Sequence, residues 1–410
     1  MFSVNEFINY YVTKRSNSLF EKDITTYNDE LLNTISEKSI LVIGGAGSIG
    51  SSFINEVMQY RPREIVVVDT NENALTDLTR RLRSSSELSK WIPNVYKTYP
   101  MDYSSLAFKH MFVNHKRTDG VSSGFDIVAN FSAHKHVRSE KDIYSVEALI
   151  RNNLINAKGL LDLLKDNKPE LYFCVSTDKA ANPVNIMGAS KRIMEDLIFS
   201  YSDLFPVKTA RFANVAFSNG SLLAGFLDRL NMRQPISAPL DVKRYFVSPK
   251  ESGQICMLSA MIGNNRDIFF PRLELSQMTT FDKIAEDLLA SLGYQVDYCA
   301  SDDEALEKSK CWIEGKPYPV FFSQSDTSGE KSFEEFYVQG EMVDYSRFSS
   351  LGVIYGKQTP DKCALSELIT LLEKAFDSEK CSKTEIIKII KDYIPNFEHI
   401  ETGKNLDGKM

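Results

Sequence analysis

A glycine-rich turn between an apolar run and a helical stretch constrains this chain most strongly. The apolar run covers residues 39–43, the turn reads GGAGSIG at 44–50, and the helical stretch covers 51–60. Glycines at this spacing let the backbone turn sharply and approach a phosphate closely, and the first amides of the helix favour an anion. A second apolar run ends at Asp69, whose carboxylate can accept hydrogen bonds from ribose hydroxyls. The pattern therefore predicts a dinucleotide site.

The residues that we expect at this site lie on the glycine turn or later in the chain. Those predicted to contact the cofactor are Gly44, Gly47, Ser48, Ile49, Gly50, Asp69, Asn71 and Asp102. Asp102 is a candidate for the adenine contact, and an exposed loop aspartate is the alternative. Asp69 would repel a 2′-phosphate, which favours NAD, although the arginines at 80, 81 and 83 keep NADP open.

Short β-branched runs alternate with amphipathic stretches. This alternation is typical of a doubly wound α/β fold with a parallel sheet. The predicted strands are 39–43, 64–69, 125–130, 171–176 and 207–212. After about residue 215 we expect no further regular alternation, and we place substrate specificity there. The predicted domains are an N-terminal helical extension (1–38), a cofactor-binding domain (39–215), a mainly substrate-binding domain (216–345) and a C-terminal helical extension (346–410).

Composition excludes several classes of function. The chain has 410 residues, of which 43% are hydrophobic, enough for a large core. A net charge of -7 without a basic block gives no surface for nucleic acid. The six cysteines are scattered and form no CxxC, so we predict no metal site and a reducing compartment. No signal peptide or run of about 18 apolar residues is present, so we expect a cytoplasmic protein without a membrane span.

A cluster of reactive side chains follows the fourth predicted strand. The sequence reads STDKAANP at 176–183 and then MGASK at 187–191. The carboxyl ends of parallel strands face the ligand crevice, so the hydroxyl, carboxylate and ammonium groups should point at the nicotinamide. Lys191 lies one helical turn after Met187, on the same face. For Asp178 and Lys179 taken alone, a solvated charged loop is the alternative.

Ten motifs in order give the chain a resemblance to a known family. They are GGAGSIG (44–50), DTNEN (69–73), AHKHV (133–137), NN (152–153), STDKA (176–180), MGASK (187–191), RFANV (211–215), RYF (244–246), GEK (329–331) and EE (334–335). Over roughly residues 20–345 the sequence resembles the UDP-N-acetylglucosamine 4,6-dehydratases of bacterial capsule, O-antigen and protein-glycosylation pathways. The resemblance implies a Rossmann-type sheet with a smaller, discontinuous C-terminal substrate-binding domain. It also implies NAD as cofactor, a nucleotide-sugar substrate and a homo-oligomer.

Most short-chain dehydrogenases carry a tyrosine four residues before the lysine, where this chain has Met187, as in one branch of the family. A thioether cannot remove the hydroxyl proton when carbon 4 of the sugar is oxidised, so another group must. The resemblance implies oxidation at carbon 4, loss of water across carbons 5 and 6, and return of the hydride to carbon 6. Lys179 would be the base at carbon 5 and Asp178 the acid for the 6-hydroxyl, while Asp178 also serves the carbon 4 hydroxyl.

The remaining roles also come from the resemblance. Thr177 would bind the hydroxyl at carbon 4, Lys191 would hold the nicotinamide ribose, and Met187 would mainly pack. The further predicted positions are Asn153, which supports the active-site helix, His134, Lys135 and Asn214, which line the crevice, and Arg244, which binds the pyrophosphate. Each of these could instead be structural.

Two departures from the family pattern concern anion contacts. The family has Arg-Pro before Gly-Glu-Lys where this chain has Thr327-Ser328, and an arginine where it has Asn219. Long members also carry transmembrane helices before the catalytic domain, and this sequence has no counterpart. The nucleotide or the sugar could therefore differ from UDP-N-acetylglucosamine.

Two rival functions stay open. A nucleotide-sugar 4-epimerase or dehydrogenase shares the fold and the oxidation at carbon 4, but it needs no acid and base for elimination. A non-catalytic NAD-binding sensor would have kept the fold and lost the tyrosine. The pair Asp178–Lys179 argues against the epimerase or dehydrogenase. The retention of Lys191 beside this pair argues against the sensor. Inversion at carbon 5 is not decided by these residues.

Overall fold

The computed structural model describes residues 2–136, 140–325 and 334–400. Two parts of the motifs, Val137 and the Gly-Glu-Lys at 329–331, lie outside these ranges, and so does the pair Thr327-Ser328.

A nine-stranded sheet forms the centre of the protein. Its strands are β1 (Ser39–Ile43), β2 (Glu64–Asp69), β3 (Val95–Pro100), β4 (Ile127–Asn130), β5 (Leu171–Thr177), β6 (Val207–Phe212), β11 (Ile268–Pro271), β15 (Met342–Asp344) and β16 (Leu351–Tyr355). Their order across the sheet is β15-β16-β11-β6-β5-β4-β1-β2-β3. The strands from β3 to β11 run parallel, whereas β16 and β15 pair antiparallel at one edge. The predicted α/β fold with a doubly wound, Rossmann-type parallel sheet is confirmed.

Helices fill the connections between the strands. The α-helices are α1 (Val4–Phe7), α2 (Glu21–Thr26), α3 (Asn28–Ile35), α4 (Ser48–Val57), α5 (Glu72–Ser84), α6 (Leu106–Asn114), α7 (Ile143–Ile150), α8 (Asn156–Asp166), α9 (Ile186–Phe199), α10 (Leu222–Asn231), α11 (Pro249–Ile262), α12 (Phe281–Ser291), α13 (Asp302–Lys310), α14 (Lys362–Phe376) and α15 (Lys383–Tyr393). Helix α11 packs on α4 and against β5, β6 and β11, and α9 packs on α8 and against β5 and β6. No helix in the described ranges combines the length and apolarity that a membrane crossing requires.

A second, smaller core lies beside the main one. It is built on the parallel strands β8 (Ile236–Pro239), β14 (Tyr318–Ser323) and β13 (Val296–Tyr298), with α10 and α12 packed on it. Two short ladders connect this part to the rest: β7 (Asn214–Val215) with β10 (Phe246–Val247), and β9 (Lys243–Arg244) with β12 (Thr279–Thr280). Phe7, Ile8 and Val12 from the N-terminal segment are buried in this second core.

Three of the five predicted strands have the predicted bounds, while β4 begins two residues later and β5 ends one residue later. The expectation that regular alternation stops near residue 215 is confirmed, since β8, β9 and β10 follow one another without a helix between them. The later strands are short, between two and six residues, so they give little periodicity. Three strands of the main sheet, β11, β15 and β16, also come from beyond residue 215, where the predicted cofactor domain ends.

Candidate active site

The glycine turn is shaped by close approaches of its backbone to neighbouring segments. Gly44 has a φ of +70°, and a Cβ there would lie 2.6 Å from the backbone nitrogen of Ser132. A Cβ on Gly50 would lie 2.5 Å from the carbonyl oxygen of Gly44. At Gly47, in contrast, a Cβ would meet only that same oxygen, at 3.4 Å. The turn is therefore open at Gly47, and at the next residue the Ser48 hydroxyl accepts from the Asn219 amide at 2.8 Å.

Asp69 connects the end of β2 to this turn. Its Oδ2 accepts a hydrogen bond from the Ala46 amide at 3.1 Å, and its Oδ1 accepts one from the Asn71 amide at 3.0 Å. The side chain of Asn71 caps α5 by accepting from the Ala74 amide. Asp102 is exposed, and its Oδ1 accepts from the amide and hydroxyl of Ser104. Asp69 thus reaches the turn, while the structure gives Asn71 and Asp102 local contacts, and their cofactor roles stay predictions.

The predicted catalytic residues Thr177, Asp178 and Lys179 meet at the carboxyl end of β5. The Thr177 hydroxyl donates to Asp178 Oδ1 at 2.7 Å, and Lys179 Nζ lies 3.3 Å from both oxygens of that carboxylate. Asp178 is buried, whereas the Lys179 side chain is 24% exposed. The three groups form one hydrogen-bonded set that can exchange protons.

Helix α9 begins beside this set and carries Met187 and Lys191. Both side chains are buried, and that of Met187 belongs to the main apolar core. Lys191 Nζ donates to the carbonyl oxygen of Val175 at 3.0 Å, and burial lowers the pKa of this ammonium group. Lys191 is therefore held against β5, the strand that ends at the catalytic set.

Asn153 joins the loop after β4 to α9. Its Nδ2 donates to the carbonyl oxygen of His134 at 3.0 Å and to the Ser190 hydroxyl at 3.1 Å, and its Oδ1 accepts from the His134 amide at 2.9 Å. His134 and Lys135 are among the exposed residues, although partial burial still lowers the pKa of the Lys135 ammonium group. The backbone at His134 is thus fixed next to the active-site helix, and partial burial lowers the pKa of its imidazole.

The predicted substrate residues Asn214 and Arg244 lie with a third residue, Glu334. Asn214 Nδ2 donates to Glu334 Oε1 at 2.5 Å, and the Tyr245 amide donates to Glu334 Oε2 at 2.9 Å. Arg244 is buried, and its NH1 donates to the carbonyl oxygen of Lys243. Burial and the charge of Asp178 raise the pKa of Glu334 to about 8. Sequence reasoning quoted Glu334 within a motif but gave it no role.

A buried ion-pair network lies behind the catalytic set. Glu195 of α9 forms a bidentate pair with Arg211 of β6, at 2.9 and 2.8 Å, and also accepts from the Ser176 hydroxyl at 2.7 Å. Arg211 pairs in addition with Glu341, at 2.9 and 3.0 Å. Although burial opposes ionisation, the Arg211 guanidinium holds the pKa of Glu195 well below its usual range. The network therefore ties α9, β5 and β6 together beneath the site.

Glu140 is a further residue that sequence reasoning missed. It is buried, and its Oε1 accepts from the Met187 amide at 2.8 Å, at the start of α9. Its Oε2 lies 3.2 Å from Nε2 of His399, near the C-terminal end of the described chain. Neither contact could be read from the sequence, because the chain separations are 47 and 259 residues.

Comparison with known proteins agrees with this architecture. Residues 40–354 match the model of a family described as "Polysaccharide biosynthesis protein". Among curated proteins, the "Probable polysaccharide biosynthesis protein EpsC" of Bacillus subtilis is 25% identical over 334 residues, which are 81% of this chain and 52% of EpsC. The chain thus spans about half the length of that relative.

Two solved structures show the same fold. Pen from Bacillus thuringiensis has a TM-score of 0.61 at 18% identity. The match covers 83% of this chain and 98% of the Pen chain. A double mutant of DesIV, a dTDP-glucose 4,6-dehydratase from Streptomyces venezuelae solved with NAD bound, has a TM-score of 0.53 at 18% identity. The match covers 72% of this chain and 87% of the DesIV chain. At these identities the likeness concerns the fold.

Proposed function

This chain belongs to the family of polysaccharide biosynthesis proteins, and on that premise we propose that it is an NAD-dependent 4,6-dehydratase of a UDP-N-acetylhexosamine. The substrate we favour is UDP-N-acetylglucosamine or a close nucleotide hexosamine. The product is the corresponding 4-keto-6-deoxy sugar. The observation that carries this proposal is the buried Asp178 in contact with Thr177 and Lys179 at the carboxyl end of β5.

The turn and Asp69 fit a dinucleotide. The side of the turn next to Gly47 is open, the first amides of α4 are available to a pyrophosphate, and the Asp69 carboxylate lies beside the turn. When bound, NAD supplies the acceptor for the hydride of carbon 4 and the donor for carbon 6. Lys191, held against β5, is the residue we assign to the nicotinamide ribose.

Oxidation at carbon 4 needs an acceptor for the hydroxyl proton, and Met187 cannot be that group. Thr177 and Asp178 form the nearest continuous path, since the threonine hydroxyl already donates to the carboxylate. We assign Asp178 as the acceptor, through Thr177 or a water molecule. The carbon 4 hydroxyl then becomes a ketone, and Asp178 becomes a neutral acid.

Elimination uses Lys179 as the base and Asp178 as the acid. The new ketone acidifies the hydrogen at carbon 5, and neutral Lys179 takes that proton. The electron pair of the broken C–H bond forms the double bond between carbons 5 and 6. The C–O bond at carbon 6 breaks, and Asp178 gives its proton to the departing hydroxyl, which leaves as water. When the hydride adds at carbon 6, Lys179 returns its proton to carbon 5, so both residues and the cofactor end unchanged.

The experiment is incubation of the purified chain with UDP-N-acetylglucosamine and NAD⁺, followed by mass spectrometry of the sugar. We expect loss of one water, abolished in Asp178→Asn and Lys179→Met, with the exposed Lys165→Met on α8 as the matched control. An unchanged mass with a changed configuration would instead establish an epimerase. No turnover of any nucleotide sugar, with NAD bound, would favour the sensor. Cytoplasmic location and homo-oligomeric state stay predictions.

A further inference from the structure

Residues 216–221, the bridging loop between β7 and α10, contact two segments at the carboxyl edge of the main sheet. On one side, the Asn219 amide donates to the hydroxyl oxygen of Ser48, on the glycine turn after β1, at 2.8 Å. On the other side, a Cβ on Gly220 would lie 3.2 Å from Nε2 of His136, in the loop after β4. The bridging loop therefore spans the space between the carboxyl ends of β1 and β4.

That space is where a Rossmann-type sheet binds a dinucleotide. The sheet continues from β1 to β2 and β3 in one direction and from β4 to β5 and β6 in the other, so the strand order reverses between β1 and β4. A dinucleotide lies across the crevice at this reversal, with its pyrophosphate at the start of the first helix. Helix α4 begins at Ser48, the residue that the bridging loop contacts. The bridging loop thus spans the crevice next to the position expected for the pyrophosphate.

The N-terminal segment supports the bridging loop through a pair of aromatic rings. Phe217 has a φ of +54°, a left-handed conformation that a bulky residue rarely adopts. Its ring packs edge-to-face with the ring of Phe7, and the two centroids lie 5.9 Å apart. Phe7 is 3% exposed and belongs to the second core, on which Phe217 also packs. The conformation of the bridging loop therefore depends on a residue that precedes the family match, which begins at residue 40.

The two ends of the bridging loop are fixed, whereas its tip is exposed. The Ala216 amide donates to the carbonyl oxygen of Val247 at 2.9 Å, and the Ser221 hydroxyl caps α10. Asn219, at the tip, is exposed. Movement can therefore be confined to the tip, where breaking the hydrogen bond to Ser48 would open one side of the crevice.

We propose that the bridging loop closes the cofactor crevice and retains the reduced cofactor, and that Phe7 is a positioning residue that keeps this loop closed. The inference rests on the NAD of the proposed function but not on the dehydration. In the proposed cycle, NADH exists only between the two hydride transfers. Its escape at that point would leave an oxidised sugar and no hydride for carbon 6. A loop that slows its release keeps the whole cycle on one molecule of cofactor.

The test measures how fast NADH leaves the purified chain. The chain is loaded with NADH and mixed with excess NAD⁺, and the fluorescence of bound NADH is followed by stopped flow. Ser48→Ala removes the acceptor of the Asn219 amide and should speed release by about tenfold, as expected for the loss of about one hydrogen bond. Phe7→Leu keeps an apolar side chain but removes the ring contact with Phe217, and it should speed release by about threefold.

A double variant distinguishes positioning from general destabilisation. If Phe7 acts through the contact with Ser48, the chain with both Ser48→Ala and Phe7→Leu should release NADH at the rate of Ser48→Ala alone. Tyr318→Leu removes another ring of the second core, one that packs on Tyr294 and Trp312, and serves as the matched control with the wild-type rate. A wild-type rate in Phe7→Leu, multiplied effects in the double variant, or equal acceleration by Tyr318→Leu would overturn the proposal.

These measurements use no sugar, so they separate this inference from the proposed reaction. A chain that dehydrates no nucleotide sugar can still show the expected order of release rates, which would support the bridging loop and contradict the dehydratase. A folded wild-type chain that binds no NADH would contradict both.

Discussion

Asp69 shows how one residue joins local sequence to function. Its two oxygens accept from the amides of Ala46 and Asn71, so the carboxylate is held between the glycine turn and the start of α5. Both partners come from the pattern that the sequence already displays. A ribose that binds beside the turn would therefore meet a fixed negative charge, which favours NAD and disfavours a 2′-phosphate.

We predict that Asp69→Asn weakens binding of NADH by about tenfold and strengthens binding of NADPH. The loss corresponds to about one hydrogen bond to a charged group, and the gain comes from removing the repulsion of the 2′-phosphate. Fluorescence titration of wild type and variant with both reduced cofactors measures the two affinities. An unchanged ratio between them would show that Asp69 does not face the adenosine ribose.

Glu56 provides a residue-scale prediction about stability. This carboxyl group of α4 is buried against α11, where Gln254 donates to it at 3.2 Å, and burial raises its pKa from 4.5 to about 7. The folded state therefore binds more protons than the unfolded state between about pH 4.5 and 7, so the free energy of unfolding falls as pH rises through that window. Above pH 7, ionisation of Glu56 lowers the free energy of unfolding by at most about 3 kcal/mol.

Glu56→Gln should therefore raise the melting temperature at pH 8 and leave it nearly unchanged at pH 5. Calorimetry at the two pH values measures the effect. Glu21→Gln, which alters an exposed carboxylate of α2, is the control and should show no such difference. Equal effects of Glu56→Gln at both pH values would mean that Glu56 is not protonated in the folded state.

Sequence reasoning found the site residues that lie close together along the chain. Thr177, Asp178 and Lys179 are consecutive, and the glycines follow one strand. Glu334 contacts Asn214 across 120 residues, and only the folded chain brings them together. The raised pKa of Glu334 depends on burial and a neighbouring charge, and neither has a local signature in the sequence.

At the scale of elements, the start of α9 depends on a segment far away in the chain. Glu140 accepts from the Met187 amide, one of the donors that a helix leaves unpaired in its first turn, and His399 holds the other oxygen. The Ile400 amide also donates to the carbonyl oxygen of Val184, just before α9. The C-terminal segment thus contacts the helix that carries Met187 and Lys191.

We predict that Glu140→Ala lowers the free energy of unfolding by about 1–3 kcal/mol, because the Met187 amide and His399 lose a buried partner. It should also lower turnover and weaken cofactor binding, since this helix carries Lys191, the residue we assign to the nicotinamide ribose. Glu140→Gln keeps an acceptor oxygen and should recover part of each loss. Denaturant unfolding and steady-state kinetics measure them. If Glu140→Ala matches wild type in both, the contact does not position α9.

The first strands of the sheet were predictable because each is a buried apolar run next to a turn signal. Strand β3 was not assigned, since every one of its residues is partly or fully exposed. Strands β15 and β16 pair antiparallel at the opposite edge, and β15 has only three residues. Pairing across the sheet, rather than local pattern, determines these strands.

At the scale of the whole molecule, two segments outside the family match complete the fold. Residues 2–39 and 355–400 lie beyond the matched range, and yet Phe20, Leu31 and Ile35 are buried in the main core with residues of α14 and α15. Arg15 connects the N-terminal segment to α11 through a bidentate ion pair with Glu251, in which each hydrogen bond is 2.8 Å long. It also donates to the carbonyl oxygen of Phe246. Helix α11 in turn packs on α4.

Arg15→Ala should lower the free energy of unfolding by about 3–5 kcal/mol, because Glu251, only 2% exposed, would be left as an unpaired buried charge. Lys22→Ala removes an exposed cation from the same segment and serves as the control. Denaturant unfolding of the two variants and of wild type measures these free energies. Equal stability of Arg15→Ala and wild type would show that the N-terminal segment contributes little to the fold.

The central claim is that one site oxidises carbon 4, eliminates water and returns the same hydrogen to carbon 6. Turnover of UDP-N-acetylglucosamine deuterated at carbon 4, followed by mass spectrometry and NMR of the product, tests it most directly. We predict a product that has lost one water and carries the deuterium at carbon 6. Deuterium retained at carbon 4 of an epimerised sugar, or lost to free reduced cofactor without dehydration, would contradict the claim.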